Sequence, residues 1–134
     1  MARHETLFSG GGGLYSTAED YIQFGQMLAN SGELNGKRIL SPRTVDLMAS
    51  NHVGDLYEAA GRRGMGWGLS VEVVMDPVAA NRRTSAGSFG WDGAFGTHFW
   101  VDRKEKLVGL MMIQEPVGAM TRDFENAVMQ AVIE

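Results

Sequence analysis

The sequence contains no cysteine, which excludes a disulfide framework and any thiolate metal site. It also lacks a basic excess: 12 Lys and Arg stand against 16 Asp and Glu, a net charge of −4. With no Lys/Arg cluster, neither a nucleic acid nor an anionic membrane surface is an expected partner. No apolar run reaches transmembrane length, and no basic start leads into an apolar signal core. No membrane partner is therefore expected, and the compartment stays open. Internal repeats and low-complexity tracts are absent too. What is present is ordinary for a soluble globular chain, with 44% apolar and 21% charged residues. At 134 residues the chain is one domain or part of one. Glycine is the outlier. Its 18 copies are roughly twice the usual share and they cluster.

The glycine-rich opening, "MARHETLFSGGGG", has no periodicity and reads as an extended lead-in and a turn. A helix follows in "STAEDYIQFGQMLANSG". Ser16 with Glu19 forms a capping box, and Tyr21, Phe24, Gly25 and Leu28 recur at helical spacing. Gly32 supplies the stop. "LNGKRIL" reads as a small turn, and Ser41 with Pro42 opens a second helix whose Val45, Met48 and Ala49 face the core. "GWGLSVEVVM" reads as one strand, with Leu69, Val71 and Val73 alternating against Ser70 and Glu72. "THFWVD", "RKEK" and "LVGLMMIQ" read as strand, turn, strand. The last helix carries Phe124, Ala127, Val128, Ala131 and Val132 at helical spacing, with Asp123 and Glu125 favourably placed in its first turn. The order predicts an α+β fold: an antiparallel sheet of three to four strands with flanking helices. Leu107 to Ile113 is apolar everywhere except Gly109, so both faces of that strand call for burial. It is also the last strand, with one evident neighbour. An open apolar edge invites association, so the sheet reads as incomplete.

Several candidate chemistries are weak. Ala86-Gly87-Ser88-Phe89-Gly90 matches a nucleophile elbow in letters, but an elbow needs a following helix, and here a strand continues. Ser88 reads as an ordinary strand-edge hydroxyl. His4, His52 and His98 lack metal-ligand spacing, and His98 reads as a hydrogen-bonded structural histidine. No metal or cofactor is implied. Gly10 to Gly13 could cradle an anion before a helix, yet no phosphate-loop Lys follows, and a flexible linker fits better. Asp92 and Asp102 form no acid/base pair, and Asp102 reads as a turn residue. Trp91-Asp92-Gly93-Ala94 is left, just before the aromatic strand. A bulged strand around a core aromatic accounts for it, as does a backbone that something approaches closely.

Two further blocks bear on that choice. "FSGGGGLYSTAEDYIQFGQMLANSGELNGKRILSPRTVDLM" and "GWDGAFGTHFWVDRKEKLVGLMMIQ", with "GMGWGLSV" between them, resemble the C-terminal part of the serine β-lactamase-like hydrolases: class C β-lactamases, DD-peptidases and related esterases. The resemblance covers nearly the whole chain. It implies the C-terminal portion of the β-lactamase/transpeptidase-like fold, with residues 1–134 as a single partial domain. The family's third motif is Lys-Thr-Gly or His-Thr-Gly, and Trp-Gly-Gly in some esterases. The matching residues are Trp91, Asp92 and Gly93, followed by Ala94. The resemblance implies that Trp91, Asp92 and Gly93 line the substrate cleft and that the Ala94 amide is an oxyanion-hole donor. Gly93 would keep the edge low for the acyl group. Trp91 at the first position points to the esterase side, and the charge of Asp92 makes an anionic substrate unwelcome.

The family's nucleophile lies in Ser-x-x-Lys, and a Tyr-x-Asn-type motif supplies a further base. None of the eight serines is followed by Lys at that spacing, and Tyr15, Tyr21 and Tyr57 lack the Tyr-x-Asn pattern. The chain therefore reads as a C-terminal fragment that contributes a wall and one oxyanion amide to a serine hydrolase acting on a small-molecule ester or amide, and that is inactive alone. It would form a homo-oligomer or pair with an N-terminal fragment. The rival reading is a non-catalytic oligomerisation or ligand-binding module.

Overall fold

Short-range chemistry accounts for the first elements. The computed structural model describes residues 12–115 and 117–133; the expected lead-in up to Gly11, with His4, lies outside them. Helix α1 (Ala18–Ala29) is capped by Thr17, not Ser16. The Thr17 hydroxyl accepts the Asp20 amide at 3.1 Å and donates to the Asp20 carboxylate at 3.0 Å. The cap is thus Thr17 with Asp20, one residue later than the expected Ser16 with Glu19, and the side chains bond each other instead of closing a reciprocal box. Thr17 is the residue with extended backbone, φ −90° and ψ 162°, as a cap requires. Gly32 ends the helix at φ +96°, and its amide returns to the Met27 carbonyl at 2.8 Å. Gly25, Met27 and Leu28 are buried and Tyr21 is half-buried, whereas Phe24 stays partly exposed.

"LNGKRIL" is a hairpin of β1 (Glu33–Leu34) and β2 (Lys37–Arg38). Asn35 and Gly36 both have positive φ, 50° and 75°, the pair a type I′ hairpin turn requires. Helix α2 (Pro42–Met48) is capped by Ser41 with Pro42 in its first turn, as expected, and it buries Val45. A short α3 (Leu56–Ala59) follows.

"GWGLSVEVVM" is two strands rather than one. β3 (Met65–Trp67) turns back through Gly68 to Ser70 into β4 (Glu72–Val74). A Cβ at Gly68 would lie 2.1 Å from the Met48 carbonyl oxygen, and the Leu69 amide bonds that same oxygen at 2.9 Å. Docking against α2 therefore breaks the strand and leaves Leu69 at the surface, outside the expected alternation. The sheet gains a strand as a result. Its five antiparallel strands run β3-β4-β5-β6-β7, with β5 (Phe89–Asp92), β6 (His98–Asp102) and β7 (Leu107–Met111). The fold is α+β, as the sequence predicts.

Both sheet faces are covered. On one face Met27 and Leu28 of α1, Val45 of α2, Val73, Phe89, Phe99 and Val101 form the apolar core. Each fully buried Val or Leu contributes about 1.5–3 kcal/mol. The α1 backbone lies directly on β6 and β7: a Cβ at Gly25 would sit 2.5 Å from Val108 Cγ1 and 2.7 Å from Phe99 Cε2. Helix α4 (Met120–Gln130) covers the other face, where Phe124 meets Trp100 edge-to-face with ring centroids 5.7 Å apart. Trp100 in turn lies over Gly109, whose added Cβ would be 2.1 Å from its ring. These two layers explain why β7 is apolar on both sides. β7 is the outermost of the five strands, and its outer edge pairs with no strand among the described residues.

Candidate functional site

The stretch singled out by its glycines forms the end of the β5–β6 hairpin. Trp91 pairs with Phe99 and Asp92 with His98. The Gly93 amide bonds the Thr97 carbonyl at 2.8 Å, and Gly96, at φ +89°, closes the turn. On the opposite side β4 pairs with β5 only as far as Glu72 with Gly90. Beyond that point Trp91, Asp92 and Gly93 present a backbone edge that β4 does not occupy. Ala94 is the first turn residue, and among the described residues its amide meets no backbone or side-chain acceptor. A Cβ at Gly93 would stand 2.0 Å from Thr97 Oγ1. Glycine leaves room there for the Thr97 hydroxyl across the hairpin, which a side chain at position 93 would force to rotate away. Beside the strand end runs a groove of about 180 Å³, lined by Tyr21, Trp91, Thr97, Phe99, Leu110 and Met112 among others. Trp91 also meets Trp67 edge-to-face at 4.4 Å, and Trp67 meets Tyr57 at 5.5 Å.

The other face of this strand end carries charge. His98 is 5% exposed, and its Nδ1 lies 2.6 Å from Asp92 Oδ1 while its Nε2 lies 3.3 Å from Glu125 Oε2. Arg82 Nη1 donates to the same Glu125 oxygen at 2.6 Å, and its Nη2 lies 3.6 Å from Glu72 Oε2. Glu72 is also held by Arg62, whose Nε donates at 2.9 Å, and by the Tyr57 hydroxyl at 2.9 Å. The result is an alternating chain, Asp92–His98–Glu125–Arg82–Glu72–Arg62. It sums to zero when His98 is protonated, with three carboxylates against three cations.

Burial pushes His98 towards its neutral form, but hydrogen bonds to Asp92 and Glu125 outweigh it and raise its pKa above the ordinary imidazole value. The same bond from His98 lowers Asp92, against the opposing effect of partial burial. The tie to Glu72 raises Arg62, and burial followed by Glu72 raises Tyr57. Asp92 is thus an ion-paired carboxylate. The repulsion towards anions expected from its charge is offset by the imidazolium behind it.

Beneath Gly90 lies a cavity of about 30 Å³ bordered by Glu72, Arg82, Thr84, Ser88, Trp100 and Glu125. Thr84 Oγ1, Ser88 Oγ, Trp100 Nε1 and Glu125 Oε1 are buried there with no hydrogen-bond partner among the described residues. Ser88 is 2% exposed and leads into β5, so no elbow forms around it. His98 is hydrogen-bonded, as expected, and His52 bonds the Leu47 carbonyl oxygen at 2.7 Å. Asp102 does terminate β6 at a turn, accepting the Lys104 and Glu105 amides at 3.1 and 3.2 Å. It is fully buried and also accepts the Ser85 amide at 2.7 Å. Asp123 lies in the first turn of α4 as expected, but Glu125 does not: the helix begins at Met120, and Glu125 is buried beyond that turn, on the ion chain. Among the described residues no group of three or more His, Asp or Glu could hold a metal ion.

A family model described as Beta-lactamase matches residues 1–133. Protein Rv1367c of Mycobacterium tuberculosis (strain ATCC 25618 / H37Rv) is 38% identical over 113 residues, 78% of this chain and 28% of that protein. Esterase EstB of Burkholderia gladioli is 31% identical over 128 residues, 92% of this chain and 30% of that protein. Among solved structures, EstCE1, a hydrolase with promiscuous acyltransferase activity, superposes with a TM-score of 0.72 at 26% identity, covering 84% of this chain and 29% of its own. Unliganded simvastatin synthase LovD from Aspergillus terreus (selenomethionyl derivative) gives 0.67 at 22% identity, covering 85% and 33%, a likeness of fold. The chain thus spans between 28% and 30% of the length of the curated relatives it matches.

Proposed function

Because this chain belongs to the β-lactamase family, we propose that it supplies the third-motif wall of a serine hydrolase that works through an acyl-enzyme. The reading is of a C-terminal portion that acts together with a segment carrying Ser-x-x-Lys. Trp91, Asp92 and Gly93 form the wall along which the substrate lies, and the Ala94 amide is one oxyanion donor. One observation carries this: an uncommitted amide at Ala94 stands beside a strand edge that its neighbour leaves open. A preorganised backbone donor aimed at developing negative charge is worth about 3–4 kcal/mol in such sites. The substrate class is an ester. Trp91 stands where a cationic residue would favour a carboxylate, a groove with apolar walls runs beside it, and a relative carries the name esterase.

The nucleophile lies elsewhere, since none of the eight serines here is followed by Lys at the family's spacing. The outer edge of β7 is where a strand of the nucleophile-bearing segment would add. The test is a chimera in which residues of this chain replace the matching stretch of the Burkholderia esterase, assayed on p-nitrophenyl esters. Ala94→Pro removes the Ala94 N–H and also restrains the backbone at Gly93 and Ala94, and should lower kcat by at least about 10²–10³-fold. An Ala94→Pro chimera as fast as its parent would refute the assignment.

A further inference from the structure

The ion chain under the hairpin ends at the wall, where His98 bonds Asp92. Asp92 is half exposed at the strand end, yet its partner is deeply buried: the His98 side chain is 6% exposed and that of Glu125 3%. A neutral imidazole has one N–H to donate, whereas His98 faces a carboxylate at each nitrogen. Only the doubly protonated ring satisfies both. The indole of Trp100 stacks on the imidazole at 5.1 Å and fixes its plane. The charged groups facing His98 come from two further elements: Asp92 on β5 and Glu125 on α4. Arg82, in the connection between β4 and β5, ties Glu125 on to Glu72 of β4.

We propose that His98 is a positioning residue which hangs the Trp91–Ala94 wall on this buried chain, holding the wall in one geometry while both ring nitrogens carry protons. Its functional meaning rests on the reading of Trp91–Ala94 as the substrate wall, but the clamp itself is tested without any substrate. Loss of one proton breaks either the Asp92 bond or the Glu125 bond. The Glu125 contact is the longer, 3.3 Å against 2.6 Å to Asp92, and Glu125 keeps Arg82 at 2.6 Å, so the Glu125 side is the one released. The His98–Asp92 pair is then uncoupled from the buried chain, and Gly93 and the Ala94 amide, which follow Asp92, lose that anchor. The raised pKa of His98 places this release on the alkaline side of ordinary histidine titration.

The experiment is a pH titration of the 134-residue chain by ¹H–¹⁵N NMR, following the His98 ring nitrogens and the amides of Asp92, Gly93 and Ala94. The expected result is one shared midpoint above 6.5 for ring and wall. His98→Gln should abolish the wall transition and leave those amides at their alkaline positions throughout. Asp92→Asn, at a half-exposed site that perturbs folding little, should lower the ring midpoint by removing a carboxylate partner. Wall amides that ignore the ring's titration would overturn the proposal, as would an unchanged midpoint in Asp92→Asn. Either result is independent of the Ala94→Pro kinetics, so the clamp and the oxyanion reading fail separately.

Discussion

Replacing Arg82 with Met removes the guanidinium that joins Glu125 to Glu72 and keeps much of the aliphatic stem in place. The Arg82 side chain is 16% exposed, and its partners are 3% and 9% exposed. With contacts of 2.6 and 3.6 Å, the gross attraction is several kcal/mol at an effective dielectric of about 20. Desolvation offsets much of that gain, so the pair adds little over an apolar replacement of both partners. Breaking it on one side is different: Glu125 stays buried with His98 as its remaining partner and Glu72 with Arg62, so the loss is that of a charged hydrogen bond, about 1.5–3 kcal/mol. Unfolding entropy for a chain of this length converts 1 kcal/mol to about 3–4 °C, so Tm should fall by about 5–11 °C. Thermal melts by circular dichroism measure this directly. The double variant Arg82→Met/Glu125→Met removes both members, and its Tm should recover by at least the equivalent of about 1.5 kcal/mol of coupling. A single variant within about 3 °C of the parent, or strictly additive losses, would refute the view that this chain is a coupled buried network.

Other outcomes follow from particular contacts. Thr17→Ala should cost about 1 kcal/mol in urea unfolding, while Ser16→Ala, whose hydroxyl meets only the Thr17 carbonyl, should be near neutral. Gly25→Val forces a side chain into Val108 and Phe99 and should cost about 1–3 kcal/mol, also read from urea midpoints. Stability should vary with pH on both sides. His98 has a raised folded pKa, so its contribution is complete below the unfolded value of about 6.5 and is lost as pH rises through the folded one. Asp92 has a lowered one, so its contribution is present above about pH 3.9 and is lost as pH falls through the folded value. Urea midpoints across pH 3 to 9 should therefore peak between about pH 4 and 6.5, and His98→Gln should flatten the alkaline side.

The parts of this fold that could be read from the chain are those set by neighbours in sequence. Ser41 with Pro42, Asn35 with Gly36, and the turn after Asp102 each carry their own backbone chemistry, and each forms as expected. The strand bearing Trp91 was legible because glycine is disfavoured in strands unless another group comes close, although the group beside Gly93 is Thr97. What escaped depends on tertiary approach. The break at Gly68 exists because the Met48 carbonyl reaches it, and nothing within "GWGLSV" announces α2. The ion chain joins Asp92, Glu125 and Glu72 across three elements, and the helical spacing of Phe124 to Val132 does not mark Glu125 as buried. One signal was available. A strand apolar on both faces, as Leu107 to Ile113 is, implies a second covering layer, so Glu72 and His98 on the face away from the main core had to be buried and partnered.

The most direct test of the central claim is a crystal structure of the esterase chimera inactivated by a phosphonate ester, whose tetrahedral oxygens mimic the acylation intermediate. The account predicts the phosphonyl oxygen within about 2.7–3.1 Å of the Ala94 amide nitrogen, with the inhibitor's body along Trp91 to Gly93. An oxyanion held entirely by other groups, with the Ala94 amide turned away from it, would contradict the account.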